Sequence, residues 1–337
     1  MEQGTGNGEV CRLRAAFLKE GNPILMAVAL GVLAAALFSS TFFLNRFIST
    51  VGGRWQWTAA LRFFYMVPVL ASWITVRRGL PFLVRTGRLF ATRPLFFLIS
   101  GGIGYGVFYT GICFSARYSP GWVVASAWQI TMLATPMVLW AFGHPVTRRG
   151  FGYLLLIASG VCLIQVTRLS AGAPPGEILL NSLPVVVAAF AYPIGNQMIW
   201  QFRRTNADAG TGEVLADPAA CVLLLTLGAL PVFGAVLLLG RAGLPGNSQL
   251  VSTALVALLS GCIATPLFLY ARNLNQHPIG LMAVDATQAA EVPLALLGEM
   301  VFIGAAMPHI PEFSGIGIIS IGLVLFARAG HPPGATE

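Results

Sequence analysis

Long apolar runs recur along the whole chain and are separated by short clusters of Arg, Pro and Gly. A helix needs roughly 20 residues to cross a hydrocarbon core of about 30 Å, and most of these runs approach or exceed that length. The pattern therefore predicts ten membrane-spanning helices. The predicted spans are residues 24–46, 57–76, 94–115, 121–142, 150–167, 178–202, 216–240, 250–271, 279–303 and 313–328.

Composition supports an integral membrane protein. Hydrophobic residues make up 56% of the chain and charged residues only 9%, whereas a soluble domain carries about 25% charged residues. A water-soluble fold is excluded, and the first run is too long for a cleaved signal peptide. We expect an all-α protein in a lipid bilayer. Because 19 of the 20 basic residues are Arg, which suggests a GC-rich genome, we expect the bilayer to be a bacterial cytoplasmic membrane.

Basic residues predict the orientation of the spans, because positive charge collects in short cytoplasmic loops. Fourteen Arg and Lys residues fall on the side of the N-terminus, and five fall on the opposite side. The first group is Arg12, Arg14, Lys19, Arg77, Arg78, Arg85, Arg88, Arg93, Arg148, Arg149, Arg203, Arg204, Arg272 and Arg328, and the second is Arg46, Arg54, Arg117, Arg168 and Arg241. Both termini are therefore predicted to be cytoplasmic.

The two halves of the chain resemble each other at an offset of roughly 150 to 160 residues. SSTFFLNR at Ser39–Arg46 resembles AYPIGNQM at Ala191–Met198, which brings Asn45 within one position of Asn196 in the alignment. Since each half has an odd number of spans, the second half would enter the membrane from the opposite side, giving inverted repeats with a binding site near the midplane. The predicted organisation is a tail at 1–22, five-helix repeats at 23–170 and 171–328, and a tail at 329–337.

Three carboxylates lie within one apolar run, the ninth predicted span: Asp285, Glu291 and Glu299. On a regular α-helix these residues and Gln288 occupy about one third of the helix surface. A carboxylate at bilayer depth costs about 2.5 to 3.5 kcal/mol, so these groups should face protein, water or a cation rather than lipid. The pattern is typical of a cation or proton pathway, and proton and cation competing for one carboxylate suffice for antiport.

Basic residues within spans leave two interpretations open. Arg46 and Arg62 could form structural ion pairs with the buried acids, and Glu299 could reach the membrane interface instead. For Arg62, pairing with Asp285 or Glu291, snorkelling to the interface and binding an anionic substrate group all remain possible.

Aromatic and uncharged polar residues give further candidates for a substrate site. Tyr109 and Trp128 are candidates for lining a cavity, because aromatic faces beside a carboxylate bind organic cations. Asn45, Gln129, Asn196 and Gln288 mark the inward faces of their helices. Hydrogen bonds between helices explain these polar residues as well as substrate contact does.

Other motifs mainly exclude functions. Gly102 and Gly106 form a GxxxG pattern, which predicts close packing of the third span. No enzyme or nucleotide-binding motif occurs, and the cysteines and histidines lack metal-ligand spacing. We therefore expect no catalytic activity, metal, cofactor or nucleic-acid partner.

Several segments together resemble the drug/metabolite transporter superfamily, in particular a ten-helix branch commonly named multidrug resistance efflux transporters. They are SSTFFLNR, GGRWQWTAALRFFYMVP, SPGWVVASAWQIT, AYPIGNQ, SGCIATPLF and VDATQAAEVPLALLGE. The resemblance implies a proton-coupled exporter, with Asp285, Gln288 and Glu291 matching the polar run of the ninth helix and Glu299 matching a GE motif. Phe142 stands where the first repeat often carries an acid, which favours the second half for coupling.

The resulting expectation is a secondary transporter that exports small organic cations or hydrophobic amines in exchange for protons, as a monomer or homodimer. The coupling residues would be Asp285, Glu291 and Glu299. The substrate-binding residues would be Gln288, Tyr109, Trp128, Gln129, Asn45, Asn196 and Arg62. The alternatives are an exporter of a metabolite such as an amino acid or nucleoside, and a membrane receptor or scaffold without transport activity.

Overall fold

A computed structural model describes residues 23–143, 151–206, 209–274 and 284–329, and these residues form helices without strands. The predicted all-helical architecture is confirmed for them. The helices are α1 (Pro23–Thr50), α2 (Trp55–Arg78), α3 (Leu80–Thr92), α4 (Pro94–Tyr118), α5 (Gly121–Ala141), α6 (Phe151–Ser170), α7 (Pro175–Thr205), α8 (Ala209–Ala216), α9 (Pro218–Leu239), α10 (Asn247–Arg272), α11 (Val284–Ile303) and α12 (Ile310–Ala329).

Nine helices of the described chain are long and apolar enough to cross a membrane. They are α1, α2, α4, α5, α6, α7, α9, α10 and α11, and they coincide with the first nine predicted spans to within a few residues. The tenth predicted span coincides with α12, whose apolar part, Ile310–Phe326, is shorter. The predicted start of the ninth span, at 279–283, lies outside the described residues, as do both predicted tails except for residue 329.

Helix packing brings the two halves of the chain together. α6 lies against α12, α2 against α9, and α1 against both α10 and α11. α4 and α7 approach each other closely through glycines: a Cβ added to Gly104 would lie 2.9 Å from the Cα of Gly195. The predicted GxxxG pair, Gly102 and Gly106, packs instead on the side chain of Val232 in α9. Small residues on α4 therefore allow both α7 and α9 to pack closely against it.

Four of the spanning helices contain an irregular turn. α4 is π-helical over Gly102–Val107, and α10 is π-helical over Ala257–Ala264. α5 tightens after Trp128, where Met132 N–H donates to the carbonyl of Gln129 at 3.0 Å. α11 is a 3₁₀ helix over Thr287–Ala290. Such turns often occur at functional sites, because they change which side chains face inward.

The irregular turn in α11 changes the arrangement that a regular α-helix predicts for its acids. Pro293 lacks an N–H and its ring crowds the carbonyl four residues earlier, which disfavours a regular α-helical turn just before it. In a 3₁₀ turn, residues three apart share one side of the helix, and this brings Gln288 and Glu291 together. Asp285 and Glu299 bind different partners, Arg272 and the start of α5, so the three carboxylates do not share one environment.

Candidate functional site

A cavity of about 60 Å³ lies where the irregular turns meet, and we call it the central cavity. Its lining comes from α1, α2, α4, α5, α7, α10 and α11, so both halves of the chain contribute. Most of the lining side chains are aromatic or aliphatic. The lining residues are Phe38, Thr41, Phe42, Arg62, Phe63, Met66, Tyr105, Phe108, Ile112, Trp128, Tyr192, Ser260, Thr265, Phe268, Gln288 and Glu291.

Glu291 is the one acidic residue among those that line the central cavity. Its side chain is buried, with 3% relative exposure. Among the described residues, no basic side chain lies within ion-pairing distance of its carboxylate. Gln288 stands beside it on the cavity wall, three residues earlier along α11. A buried carboxyl without a fixed cationic partner can take up either a proton or a mobile cation.

Arg62 lines the same cavity from α2, and its side chain is also buried. Its guanidinium carbon lies 4.2 Å from the centre of the Tyr109 ring, a cation–π contact. Nη2 donates to the Ser260 hydroxyl at 2.9 Å, and Nη1 lies 3.5 Å from the Thr41 hydroxyl. The side chain therefore points into the protein interior and does not snorkel to an interface.

Three aromatic rings form one wall of the central cavity. The Trp128 ring centre lies 4.9 Å from that of Phe108 and 5.6 Å from that of Tyr192. Asn196 lies one turn after Tyr192 in α7 and is not among the described residues that line the cavity. The sequence predicted Trp128 but missed Tyr192. A tyrosine next to Pro193 within an apolar run was the available signal.

Tyr109 and Asn45 support the cavity from behind. Their Oη and Nδ2 atoms hydrogen-bond at 3.1 Å, and Asn45 also contacts the Cys113 sulfur at 3.5 Å. Tyr109 is fully buried beneath the guanidinium of Arg62 and is not part of the cavity surface. Both residues hold the lining in place, a structural alternative that the sequence left open.

Gln129 lies at the contact between α5 and α11, the two helices with tightened turns. Its Nε2 lies 3.4 Å from the backbone carbonyl of Gln288 in α11 and 3.4 Å from that of Ala125 in its own helix. Its Oε1 is buried without a hydrogen-bond partner in the described structure. The irregular turns of α5 and α11 thus meet through neutral amide groups.

Asp285 is paired with Arg272 rather than placed on the cavity wall. Arg272 Nε lies 3.0 Å from Asp285 Oδ1, and its Nη2 lies 3.2 Å from Oδ2. The pair joins the end of α10 to the start of α11 and is partly exposed, at 41% for Arg272 and 28% for Asp285. Neither Arg46 nor Arg62, the partners considered from the sequence, forms this ion pair.

Glu299 binds the beginning of α5. Its Oε1 accepts a hydrogen bond from the backbone N–H of Gly121 at 2.6 Å, and its Oε2 lies 3.4 Å from the N of Trp122. These N–H groups belong to the first turn of a helix, where they have no intrahelical partner and where negative charge is favourable. Glu299 is buried, so it does not simply extend to solvent.

A second, wider cavity of about 550 Å³ begins at Glu299, and we call it the outer cavity. Its lining includes Arg46, Arg168, Glu299, His309 and Glu312. These residues lie at the ends of α1, α6 and α11 and at the start of α12, on the side that the basic residues predict to be extracellular.

Sequence reasoning also missed two hydroxyl groups of the central cavity. Thr41 and Ser260 hydrogen-bond to each other at 2.6 Å and both contact Arg62. Thr41 lies within the aligned SSTFFLNR segment, and Ser260 begins SGCIATPLF. Neither hydroxyl was predicted as part of a site, although a small hydroxyl in an apolar span was itself a usable signal.

Comparison with known proteins places the chain in a family. Residues 25–331 match the family model EmrE, described as "Putative multidrug resistance efflux transporter". The chain is 37% identical over 327 residues to "Uncharacterized protein YjlA" of Bacillus subtilis (strain 168), covering 91% of this chain and 96% of the relative. It is 32% identical over 281 residues to an "Uncharacterized 42.1 kDa protein in intracellular alkaline protease 3'region" of Shouchella clausii, covering 80% of this chain and 70% of the relative.

A protein of known crystal structure has the same overall fold. The superposition covers 90% of this chain and 97% of the other, with a TM-score of 0.56 and 17% sequence identity. That likeness concerns the fold alone. The family match and the relatives together show that this multi-pass membrane protein belongs to the EmrE family of multidrug resistance efflux transporters, within the drug/metabolite transporter superfamily.

Proposed function

We propose that the protein is a secondary active transporter that exports small organic cations or hydrophobic amines from a bacterial cell in exchange for protons. The observation that carries this proposal is Glu291, a buried carboxyl on the wall of an aromatic cavity with no ion pair to a described basic residue. Membership in an efflux family makes export the direction we favour. A single chain forms the whole cavity, which is compatible with a working monomer.

In the proposed cycle, Glu291 binds a substrate cation and a proton in turn. Aromatic rings such as Phe108, Trp128 and Tyr192 would hold the apolar part of the substrate and attract its positive charge. Protonation of Glu291 removes the charge that retains the cation, so the cation leaves where protons are plentiful. We propose that Gln288 orients the substrate through its side-chain amide.

We further propose ten spans, with α12 as the tenth, arranged as two inverted repeats with both termini in the cytoplasm. The support is recurrence of the irregular turns: π-helical turns occur in α4 and α10, and broken turns occur in α5 and α11. These are the third and eighth, and the fourth and ninth, proposed spans. Interrupted helices near a repeat interface are typical of transporter binding sites.

Asp285 and Glu299 receive different roles from Glu291 in this proposal. The Asp285–Arg272 ion pair would close the cytoplasmic side of the central cavity in this conformation. Glu299 would fix the extracellular end of α5 against α11 beside the outer cavity. Opening would exchange these contacts as the two halves rock, as in alternating access.

A second function, export of a metabolite such as an amino acid, is favoured by one specific observation. Arg62 places a fixed positive charge on the wall of the same cavity. A carrier for simple cations gains nothing from that charge, whereas a substrate with an acidic group does.

The proposal is tested by Glu291→Gln in the full chain reconstituted into liposomes that contain a pH-sensitive dye. We expect phenethylamine or tryptamine to drive proton movement through the wild-type protein and at least tenfold less movement through the variant. Glu213→Gln is the matched control. Glu213 is an exposed acid of α8 that pairs with Arg78 and Arg85 and does not line the central cavity. Equal proton movement in wild type and Glu291→Gln would refute the role of Glu291, and no amine-driven movement in the wild type would refute the function.

A further inference from the structure

Arg62 is a buried cation that plays no part in the exchange of an organic cation for a proton at Glu291. It is 5% exposed, and its guanidinium stacks on Tyr109 at 4.2 Å. Its hydrogen-bonding partners are the hydroxyls of Ser260 and Thr41, both uncharged. No described acidic side chain lies within ion-pairing distance of it. Its Nε is buried and has no hydrogen-bond partner in the described structure.

A guanidinium in this setting can still bind an anionic group. Removing a charge from water costs several kcal/mol unless an opposite charge is close, and hydroxyl groups or an aromatic ring compensate only in part. Arg presents its donors in a planar fork that matches a carboxylate. The missing partner must reach Arg62 from the central cavity, because that is the open space that the side chain lines.

The central cavity thus contains both signs of charge without joining them. Arg62 enters from α2 and Glu291 from α11, and the two side chains form no ion pair with each other. The same cavity wall is largely aromatic, with Phe63, Phe108 and Trp128 among its rings. Two opposite charges on one cavity wall that do not pair with each other are complementary to a ligand with a cationic group, an anionic group and an apolar body.

We propose that the preferred substrates are apolar zwitterions, whose carboxylate binds Arg62 and whose ammonium group faces Glu291. This inference rests on the proposed exchange of a cationic group for a proton at Glu291, and it favours amino-acid-like substrates over simple amines. An amine without an acidic group satisfies Glu291 but leaves Arg62 uncompensated, so it binds less well. An aromatic or branched aliphatic side chain occupies the space between the rings.

The substrate class changes the charge that moves in each cycle. Exchange of a monovalent ammonium ion for one proton moves no net charge. Exchange of a zwitterion for one proton moves one positive charge inward. Transport of the proposed substrates therefore generates an electrical current, and transport of simple amines does not.

The test compares compounds that differ only by a carboxylate. The full chain in proteoliposomes is given phenylalanine or phenethylamine, and tryptophan or tryptamine, while proton movement and membrane current are recorded. We expect each zwitterion to exceed its amine about tenfold in the wild type, with current accompanying the zwitterion only. Arg62→Gln should lower zwitterion transport at least tenfold while amine transport stays unchanged or rises, and Arg62→Lys should recover part of the loss.

Arg46→Gln serves as the matched control, because Arg46 does not line the central cavity and donates to the backbone carbonyls of Ala116 and Arg117. If amines equal or exceed their zwitterions in the wild type, or if Arg62→Gln affects both classes equally, the inference is overturned while the proposed function stands. If neither class drives proton movement, the proposed function fails and the inference fails with it. The wild-type comparison decides the matter even if Arg62→Gln does not fold.

Discussion

At the scale of single residues, the central cavity depends on side chains that lie behind its surface. Tyr109 is fully buried and supports the Arg62 guanidinium from below through its ring, while its hydroxyl is held by Asn45. This layered arrangement fixes the direction of a charged group that would otherwise be free to leave the cavity. Residues behind the lining therefore control the chemistry of its surface.

Replacing Tyr109 tests that support. Tyr109→Leu removes the ring beneath Arg62 and should cost about 2 kcal/mol of stability, since a desolvated cation–π contact contributes about that much. Tyr109→Phe keeps the ring and loses only the hydrogen bond to Asn45, so it should cost about 1 kcal/mol. Thermal unfolding in detergent measures both changes.

The control for this pair is Tyr118→Leu, which removes a more distant contact with Arg117 at 5.5 Å near the end of α4. We expect it to have the smallest effect of the three. Equal losses for Tyr109→Leu and Tyr109→Phe would show that the ring contributes nothing to holding Arg62.

Some residues of the site could be predicted from the sequence and others could not. Glu291, Gln288, Trp128 and Arg62 stand out because polar or large aromatic groups are unusual within apolar spans, and all four line the central cavity. The partner of Asp285 was not predictable, since Arg272 was read as a loop residue on charge alone. Side-chain pairing depends on how helix ends meet in space, which one sequence does not specify.

At the scale of helices, Glu299 links two elements through a capping interaction. Its carboxylate accepts from the first N–H groups of α5 although it belongs to α11. The contact connects a helix of the first half of the chain to a helix of the second half, at the rim of the outer cavity.

Two substitutions separate the hydrogen-bond acceptor of Glu299 from its negative charge. Glu299→Leu leaves buried N–H groups of α5 without an acceptor and should cost about 2 to 3 kcal/mol. Glu299→Gln retains one acceptor oxygen for Gly121 and should cost about half as much. The measurement is the thermal unfolding midpoint of the purified protein, with Glu213→Gln as an exposed control. A leucine variant as stable as the wild type would contradict the capping role.

Helix positions followed from hydrophobicity, but helix irregularity did not. The ends of α1, α2, α4 and α9 lie within a few residues of the predicted spans. The π-helical turns of α4 and α10 and the 3₁₀ turn of α11 were missed. Hydrophobicity reports where a segment is buried, whereas the pitch of each turn depends on prolines and on contacts with neighbouring helices.

At the scale of the whole molecule, the described residues place an ion pair at one end of the bundle and a wide cavity at the other. The Asp285–Arg272 pair joins α10 to α11 on the side predicted to be cytoplasmic. On the opposite side, the outer cavity of about 550 Å³ extends inward to Glu299. We infer that opening toward the cytoplasm requires the ion pair to separate.

Exchanging the two charges tests whether the pair acts as a closure. Asp285→Asn or Arg272→Gln should each reduce transport about tenfold, because the cytoplasmic side no longer closes during the cycle. The double exchange, Asp285→Arg with Arg272→Asp, should recover a substantial part of the activity. Proteoliposome flux measures all three variants. Activity that stays unchanged in both single variants would exclude a gating role for this pair.

The architecture as a whole was the most predictable level. An all-helical membrane protein and its efflux family followed from apolar runs and a few motifs, and both are confirmed. Neither the apolar runs nor the motifs predicted that the three acids of α11 lie in three different environments. This arrangement results from packing among helices that are far apart in the chain.

The small volume of the central cavity has a mechanical consequence. Sites for drug-sized ligands typically measure roughly 300 to 1,000 Å³, and this one measures about 60 Å³. An arriving molecule must therefore wedge the aromatic walls apart, and the work of that dilation is subtracted from the binding energy it gains. Among molecules of equal polarity, those with a small cross-section should therefore bind more tightly than bulky ones. Raised hydrostatic pressure should slow the transport of either kind.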